Sequence, residues 1–163
     1  MGDQYRSAIS VGRASASIMA NVARHIRLTE RSVTGLIAPE CVIDESIVLP
    51  ALMDATGKAD LALQRDRAFD VYSCGYAYPH TDDAIGDISI GLVVSGNHML
   101  YTGLNKRTRV HLETGSVFLL NNKKVHGADC LSVQIEPLVF AVKDLFFESI
   151  RDAVVGLGLV GRS

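Results

Sequence analysis

Tryptophan is absent from this 163-residue chain, and all aromatic residues together make up only 6% of it. Cysteine is scarce as well: Cys41, Cys74 and Cys130 are widely spaced, odd in number and form no CxxC pair. This pattern argues against a disulfide framework. We therefore expect reduced, mostly buried thiols in a reducing compartment.

Neither sign of charge dominates, because 16 lysines and arginines face 18 acidic residues, for a net charge of -2 and a pI of about 6.2. This balance gives no general reason to expect nucleic acid or an anionic membrane as a partner. No apolar run approaches the roughly 18 residues that a membrane span needs. The N-terminal residues also lack the apolar block of a signal peptide, so we expect a cytoplasmic protein.

Hydrophobic residues make up 48% of the chain, which is enough for a single domain over residues 1–163 with a real core. The first part of the chain shows helical signals. Residues 8–28 place apolar side chains at helical spacing. A second helix is predicted from Glu45 to Ala55, capped by Asp44 and stopped by Gly57, with Pro50 expected to shorten or kink it.

After residue 65 the signals are those of strands. Short β-prone segments separated by glycine and asparagine turns occur at 69–74, 85–94, 98–102, 108–112, 116–120 and 131–142. This spacing is typical of a sandwich, barrel or jelly roll. We expect a mainly β fold, with a helical segment (1–65) packed on one face of the β core (66–145) and a C-terminal tail or helix (146–163).

The sharpest chemical signal is the triplet His80-Thr81-Asp82. On an extended segment, residues two apart point to the same face, so His80 and Asp82 can bind one ion, whereas Asp83 would point away. His126 is the candidate third ligand, on another strand. Two histidines and a carboxylate form the facial triad of non-haem Fe(II) oxygenases, although Zn or Mn could use the same ligands.

Together, His80-x-Asp82, the apolar strand led by Gly115 and the pair His126-Gly127 resemble the Fe(II)/2-oxoglutarate-dependent dioxygenases over roughly residues 70–142. The tyrosine-rich segment 72–79 is similar to their prolyl-hydroxylase branch. The resemblance implies a double-stranded β-helix (a cupin-like jelly roll), Fe(II) on the triad and 2-oxoglutarate as co-substrate. It also implies hydroxylation of a small-molecule or peptide substrate.

The family usually places an arginine or lysine about ten residues after the second histidine, to bind the far carboxylate of 2-oxoglutarate. Glu136 lies in that region here and has the wrong charge. We prefer Arg109 on the strand-like segment 108–112 as the replacement, and Tyr72 as a further contact to the co-substrate. The other candidate cations are Lys106, Arg107 and Lys143.

Two other classes of protein stay open. A cupin-like metal-binding domain would share the fold and the ligands but use no 2-oxoglutarate, and a non-enzymatic β-sandwich would carry the triad by accident. The remaining histidines, His25, His98 and His111, are expected to be structural or exposed. A homodimer is compatible with the helical segment, whose pattern indicates no specific role.

Overall fold

The computed structural model describes residues 8–26, 41–58, 61, 68–82, 87–103, 108–134 and 136–159. It contains ten strands: β1 (Ala8–Arg13), β2 (Cys41–Ile43), β3 (Phe69–Cys74), β4 (Ala77–His80), β5 (Ile88–Ser95), β6 (Asn97–Thr102), β7 (Thr108–Glu113), β8 (Ser116–Asn121), β9 (His126–Cys130) and β10 (Leu138–Leu145). Three helices accompany them: α1 (Ala16–Arg24), α2 (Glu45–Thr56) and α3 (Ile150–Gly156).

The strands form two antiparallel sheets. The larger sheet has six strands in the order β1-β8-β5-β10-β3-β2, and the smaller has four in the order β4-β9-β6-β7. Some sheet neighbours are far apart along the chain, as in β5 beside β10, whereas β6 and β7 are consecutive strands. The mainly β class is therefore confirmed.

The outer face of the larger sheet carries the main apolar core. Ile90, Leu92 and Leu119 are fully buried there, and they belong to the same cluster as Val48 and Leu52 of α2. Alternate residues of each strand point to this face, so β-branched and leucine side chains at every second position supply it. Buried residues of the described helices belong to this cluster.

A second, smaller apolar cluster lies between the two sheets. Val93 and Phe118 from the larger sheet meet Leu100 and Leu112 from the smaller one. The larger sheet is therefore covered on both faces, whereas exposed residues of the smaller sheet such as His111 alternate with these buried ones.

The helix expected over residues 8–28 is wrong at its beginning. Ala8–Arg13 is an edge strand that pairs with β8, and only Ala16–Arg24 is helical, while residues 27 and 28 lie outside the described part. Ile9 and Val11 are two residues apart, which is the spacing of a strand face, and this segment pairs with β8. β1 and β2 thus bring part of the predicted helical segment into the larger sheet.

The second helix is confirmed as α2. The Asp44 side chain accepts a hydrogen bond from Ser46 N–H, and Gly57 ends the helix in the left-handed conformation at φ 72°. The helix continues past Pro50, which lies on its exposed side. None of the described helices has the length and apolar character of a membrane span.

The single strand expected at 131–142 is wrong in its bounds. Residues 131–134, 136 and 137 are not in a strand, and β10 instead runs from Leu138 to Leu145. Pro137 lacks an N–H for a sheet ladder, which favours a strand beginning after it. No strand bounds were predicted for β4 and β9, which carry the two histidines of the triad, although His80 was placed on an extended segment and His126 on a strand.

Candidate metal centre

His80 and His126 come together because their strands are neighbours in the smaller sheet. β4 pairs with β9 so that His80 is directly opposite His126, and their ring centroids are 4.5 Å apart. Directly opposed residues in an antiparallel pair present their side chains on the same face. Strand pairing therefore brings together two imidazoles that are far apart in the sequence.

Each imidazole is oriented by the backbone two residues before it. The Nδ1 atom of His80 donates to the carbonyl of Tyr78, and Nδ1 of His126 donates to the carbonyl of Lys124 at 2.8 Å. A nitrogen that donates to a carbonyl must carry the ring proton, so the lone pair of each neutral ring is at Nε2. Metal-binding histidines are commonly held in this way.

Asp82 lies between the two Nε2 atoms. Its Oδ2 is 2.9 Å from Nε2 of His126 and its Oδ1 is 3.4 Å from Nε2 of His80. Two nitrogen lone pairs aimed at a carboxylate are stable only when a cation, either a proton or a metal ion, lies between them. The arrangement of this triad therefore suits a bound cation.

The pKa shifts of Asp82 and His80 are consistent with a positive charge at the triad. Burial alone would favour the neutral form of Asp82, but its hydrogen bonds and charge interactions with His126 and His80 outweigh burial and hold its pKa well below the ordinary value. The hydrogen bond to Asp82 raises the pKa of His80, against the opposing effect of burial. Asp82 is thus an anion at neutral pH, as a metal ligand must be.

The distances fit one divalent ion. The three ligand atoms lie within 4.8 Å of one another, and of the described residues only these three form such a group. Ligands at about 2.0–2.2 Å from an ion and at right angles to each other are about 3 Å apart, close to the two distances measured here. His126 is 4% exposed while His80 and Asp82 are half-buried, so the centre opens to solvent on one side.

Tyr72 faces the interior from β3 of the larger sheet. Its ring stacks on Phe140 at 5.7 Å, and its partial burial raises the pKa of its hydroxyl, with the charges of Asp70, Asp144 and Asp82 adding to that effect. The hydroxyl therefore keeps its proton at neutral pH. Since Phe140 packs against the apolar cluster between the sheets, Tyr72 faces the interior between the sheets.

Arg109 is not brought to the triad. In the smaller sheet, Arg109 pairs with Tyr101, and Tyr101 pairs with Gly127, so these side chains are on one face. His126 pairs with Thr102, the next residue along β6, and is therefore on the opposite face. Arg109 therefore points to the other face of the sheet, where it is exposed and borders a groove between β1 and β7. Its role toward a co-substrate stays a prediction, and this geometry disfavours it.

The alternative cations give no better match. Lys143 points to the helical side, where its ammonium is 2.7 Å from Glu45 of α2. Lys106 and Arg107 lie outside the described residues, as does Asp83, the rival ligand. Glu136 is exposed in the segment between β9 and β10.

The other three histidines behave as expected. His25 is exposed at the end of α1, and His111 is exposed on β7, where it bonds to Asn97. His98 is fully buried, and burial lowers its pKa. None of the three belongs to a group of ligands within the described ranges.

Sequence reasoning missed the residues that support the triad. The turn residues Asn122 and Lys123 contact the backbone of Asp82, and Tyr101 lies beneath Gly127 with its hydroxyl donating to the carbonyl of Ala77. The Asn121-Asn122 pair was visible as a turn signal only. Contacts across some 40 residues of sequence leave no local pattern.

Comparison with known proteins finds similarity in structure alone. No protein family and no curated protein matches the sequence. One similar structure is a cupin-2 domain-containing protein from Shewanella frigidimarina, with a TM-score of 0.37 and 12% identity over 53% of this chain and 78% of that one. Another is the non-haem α-ketoglutarate-dependent epimerase SnoN from nogalamycin biosynthesis, with a TM-score of 0.49 and 14% identity over 85% of this chain and 78% of that one. Neither similarity is large enough to assign a function, which must be argued from the residues themselves.

Proposed function

We propose that this protein is a non-haem Fe(II) oxygenase that uses 2-oxoglutarate and hydroxylates a small-molecule or peptide substrate. The observation that carries the proposal is the pair of Nε2 lone pairs turned toward one carboxylate by Nδ1 hydrogen bonds. His80, Asp82 and His126 would hold the ion. The bound ion would supply open positions on its far side for oxygen and an oxo acid.

The protein's own groups prepare the space beside the ion. The apolar cluster between the sheets, which includes Val93 and Phe118, limits water in the interior. The protonated hydroxyl of Tyr72 is available to donate a hydrogen bond to a carboxylate of the co-substrate. The proposed fold is a double-stranded β-helix, and a cytoplasmic location and a homodimer stay predictions.

The second candidate is a cupin-like metal-binding domain that uses no 2-oxoglutarate. One observation favours it: the described strands carry only three lysine or arginine side chains and none faces the triad, while the ammonium of Lys123 in the nearby turn donates to the backbone carbonyl of Asp82. Arg109 and Lys143 point away from the interior, and Arg13 is exposed and paired with Glu113 at 2.6 Å. A dicarboxylate such as 2-oxoglutarate is usually bound through a cation.

The deciding experiment is an anaerobic titration with Fe(II) and then with 2-oxoglutarate, followed by the visible charge-transfer band. We expect stoichiometric Fe(II) binding and a band in the wild type, and neither in His126→Ala. The matched control is His111→Ala, which removes an exposed histidine on the opposite face of the same sheet and should behave as the wild type.

Each other result has a definite meaning. Bound iron without a band would favour the cupin-like candidate. Absence of iron binding in the wild type would refute the metal centre itself and leave the non-enzymatic β-sandwich.

A further inference from the structure

Asp82 differs from the two histidines in that no strand fixes its position. β4 ends at His80, so Asp82 lies beyond the last ladder pair of the smaller sheet. A carboxylate ligand on irregular backbone needs other contacts, because metal geometry tolerates only small displacements. The source of those contacts therefore matters to the site.

Two neighbouring residues of the turn between β8 and β9 provide these contacts. The backbone N–H of Asp82 donates to the carbonyl of Asn122 at 2.8 Å, and the ammonium of Lys123 donates to the carbonyl of Asp82 at 3.1 Å. Both polar groups of the ligand's backbone are thus bound by one turn. The carboxylate itself is left to face the histidines.

This turn between β8 and β9 is itself fixed to the larger sheet. Asn122 is 1% exposed, and its side-chain amide donates to Ser89 Oγ at 2.7 Å, while Ser89 donates to Asp144 Oδ1 at 3.0 Å. The backbone N–H of Asn122 also donates to the carbonyl of Asp87 at 2.8 Å. A chain of hydrogen bonds therefore runs from β10 through β5 and the turn to Asp82.

We propose that the turn residues Asn122 and Lys123 position the carboxylate ligand Asp82, with buried Asn122 as the anchor. This inference rests on the proposed metal centre. An asparagine suits the anchor because it is short enough to reach Ser89 and donates without charge. An alanine there would leave the turn without its side-chain link to the sheet.

The test measures Co(II) affinity and the Co(II) d–d spectrum, which reports coordination geometry, in parallel with the melting temperature of the metal-free protein. Loss of groups that orient metal ligands typically weakens metal binding by about 10- to 100-fold. We expect Asn122→Ala to weaken Co(II) binding within this range and to alter the d–d spectrum.

A second pair of variants tests the proposal even if Asn122→Ala does not fold. Lys123→Ala and Lys124→Ala each delete one exposed cation beside the site, and only Lys123 reaches the backbone of Asp82 through its side chain. Lys124→Ala keeps the backbone carbonyl that accepts from His126 Nδ1. Removal of a cation should by itself favour metal binding equally in both. We expect Lys123→Ala to bind Co(II) several-fold more weakly than Lys124→Ala.

The results separate this inference from the proposed function. If the wild type binds Co(II) but Asn122→Ala loses only thermal stability, or Lys123→Ala matches Lys124→Ala, the positioning role is refuted while the metal centre stands. A wild type that binds no Co(II) refutes both.

Discussion

The larger sheet of this protein carries the main apolar core, whereas the smaller sheet carries the histidines of the candidate site. The larger sheet has eight-residue strands at β5 and β10, and helices cover its outer face with a continuous apolar core. The smaller sheet carries both histidines of the candidate site, and its edge strand β4 is four residues long and pairs with β9 at only two positions. The half that holds the candidate site is therefore the less heavily supported one.

The difference teaches that the site depends on a few specific contacts rather than on bulk burial. Apolar burial stabilises the larger sheet through many small, non-directional contributions. The position of the ligands instead depends on single hydrogen bonds and on close packing at Gly127. Changes in the two regions should therefore have separable effects.

The largest expected change in stability lies in the larger sheet. Leu92→Ala removes a fully buried side chain that faces the helices. We expect the free energy of unfolding to fall by about 2–5 kcal/mol, because apolar contacts are lost and a cavity remains. Urea denaturation measures this, and the Co(II) affinity of the folded protein should stay as in the wild type. A parallel loss of Co(II) affinity would contradict the expectation that changes in the larger sheet leave the candidate site unaffected.

A smaller change in stability but a larger change at the site is expected from Gly127→Ala. The added methyl carbon would lie 2.4 Å from the hydroxyl oxygen of Tyr101 and 2.7 Å from the carbonyl oxygen of Ala77. Such overpacking costs about 1–3 kcal/mol and should push β4 away from β9. We expect Co(II) binding, measured by titration, to weaken although Leu92→Ala leaves it unchanged. Wild-type affinity in this variant would show that β4 tolerates displacement.

The hydroxyl of Tyr101 offers a milder probe of the same contact. Tyr101→Phe removes its hydrogen bond to the carbonyl of Ala77, which is 3.3 Å long, and should cost about 0.5–1.5 kcal/mol or less. Burial raises the pKa of Tyr101 to about 12. An ultraviolet pH titration of the wild type should therefore show a late-ionising tyrosine that is missing in the variant, and an unchanged titration curve would argue against the buried position.

The smallest expected effect is a difference in alkylation rate between two thiols of the unmutated protein. Burial raises the pKa of Cys74, between the sheets, to about 11, whereas Cys130 on β9 is half-buried. Only the thiolate reacts, and an ordinary thiol has a pKa of about 8.5. Alkylation at pH 8 followed by mass spectrometry should therefore label Cys130 well before Cys74. Equal alkylation rates would mean that Cys74 is as accessible to the reagent as Cys130, against its buried position between the sheets.

Prediction from sequence succeeded where the signal was local. Asp44 and Gly57 mark the ends of α2 because capping depends on neighbouring residues, and Phe69–Cys74 is the predicted strand β3. Prediction failed at Ala8–Arg13, which was predicted as part of a longer helix although it pairs with β8 as a strand. It failed again over 131–134, where Leu131 and Val133 are not in a strand.

For the candidate site, the sequence by itself determined the chemistry of the ligands: two imidazoles and a carboxylate, with His80 and Asp82 close in the chain. Only the tertiary structure decided that His126 stands opposite His80, that both rings turn Nε2 toward Asp82, and that Arg109 points away. The physical reason is that residue type and spacing act over a few residues. Strand order and register depend on which apolar faces bury each other across the whole fold.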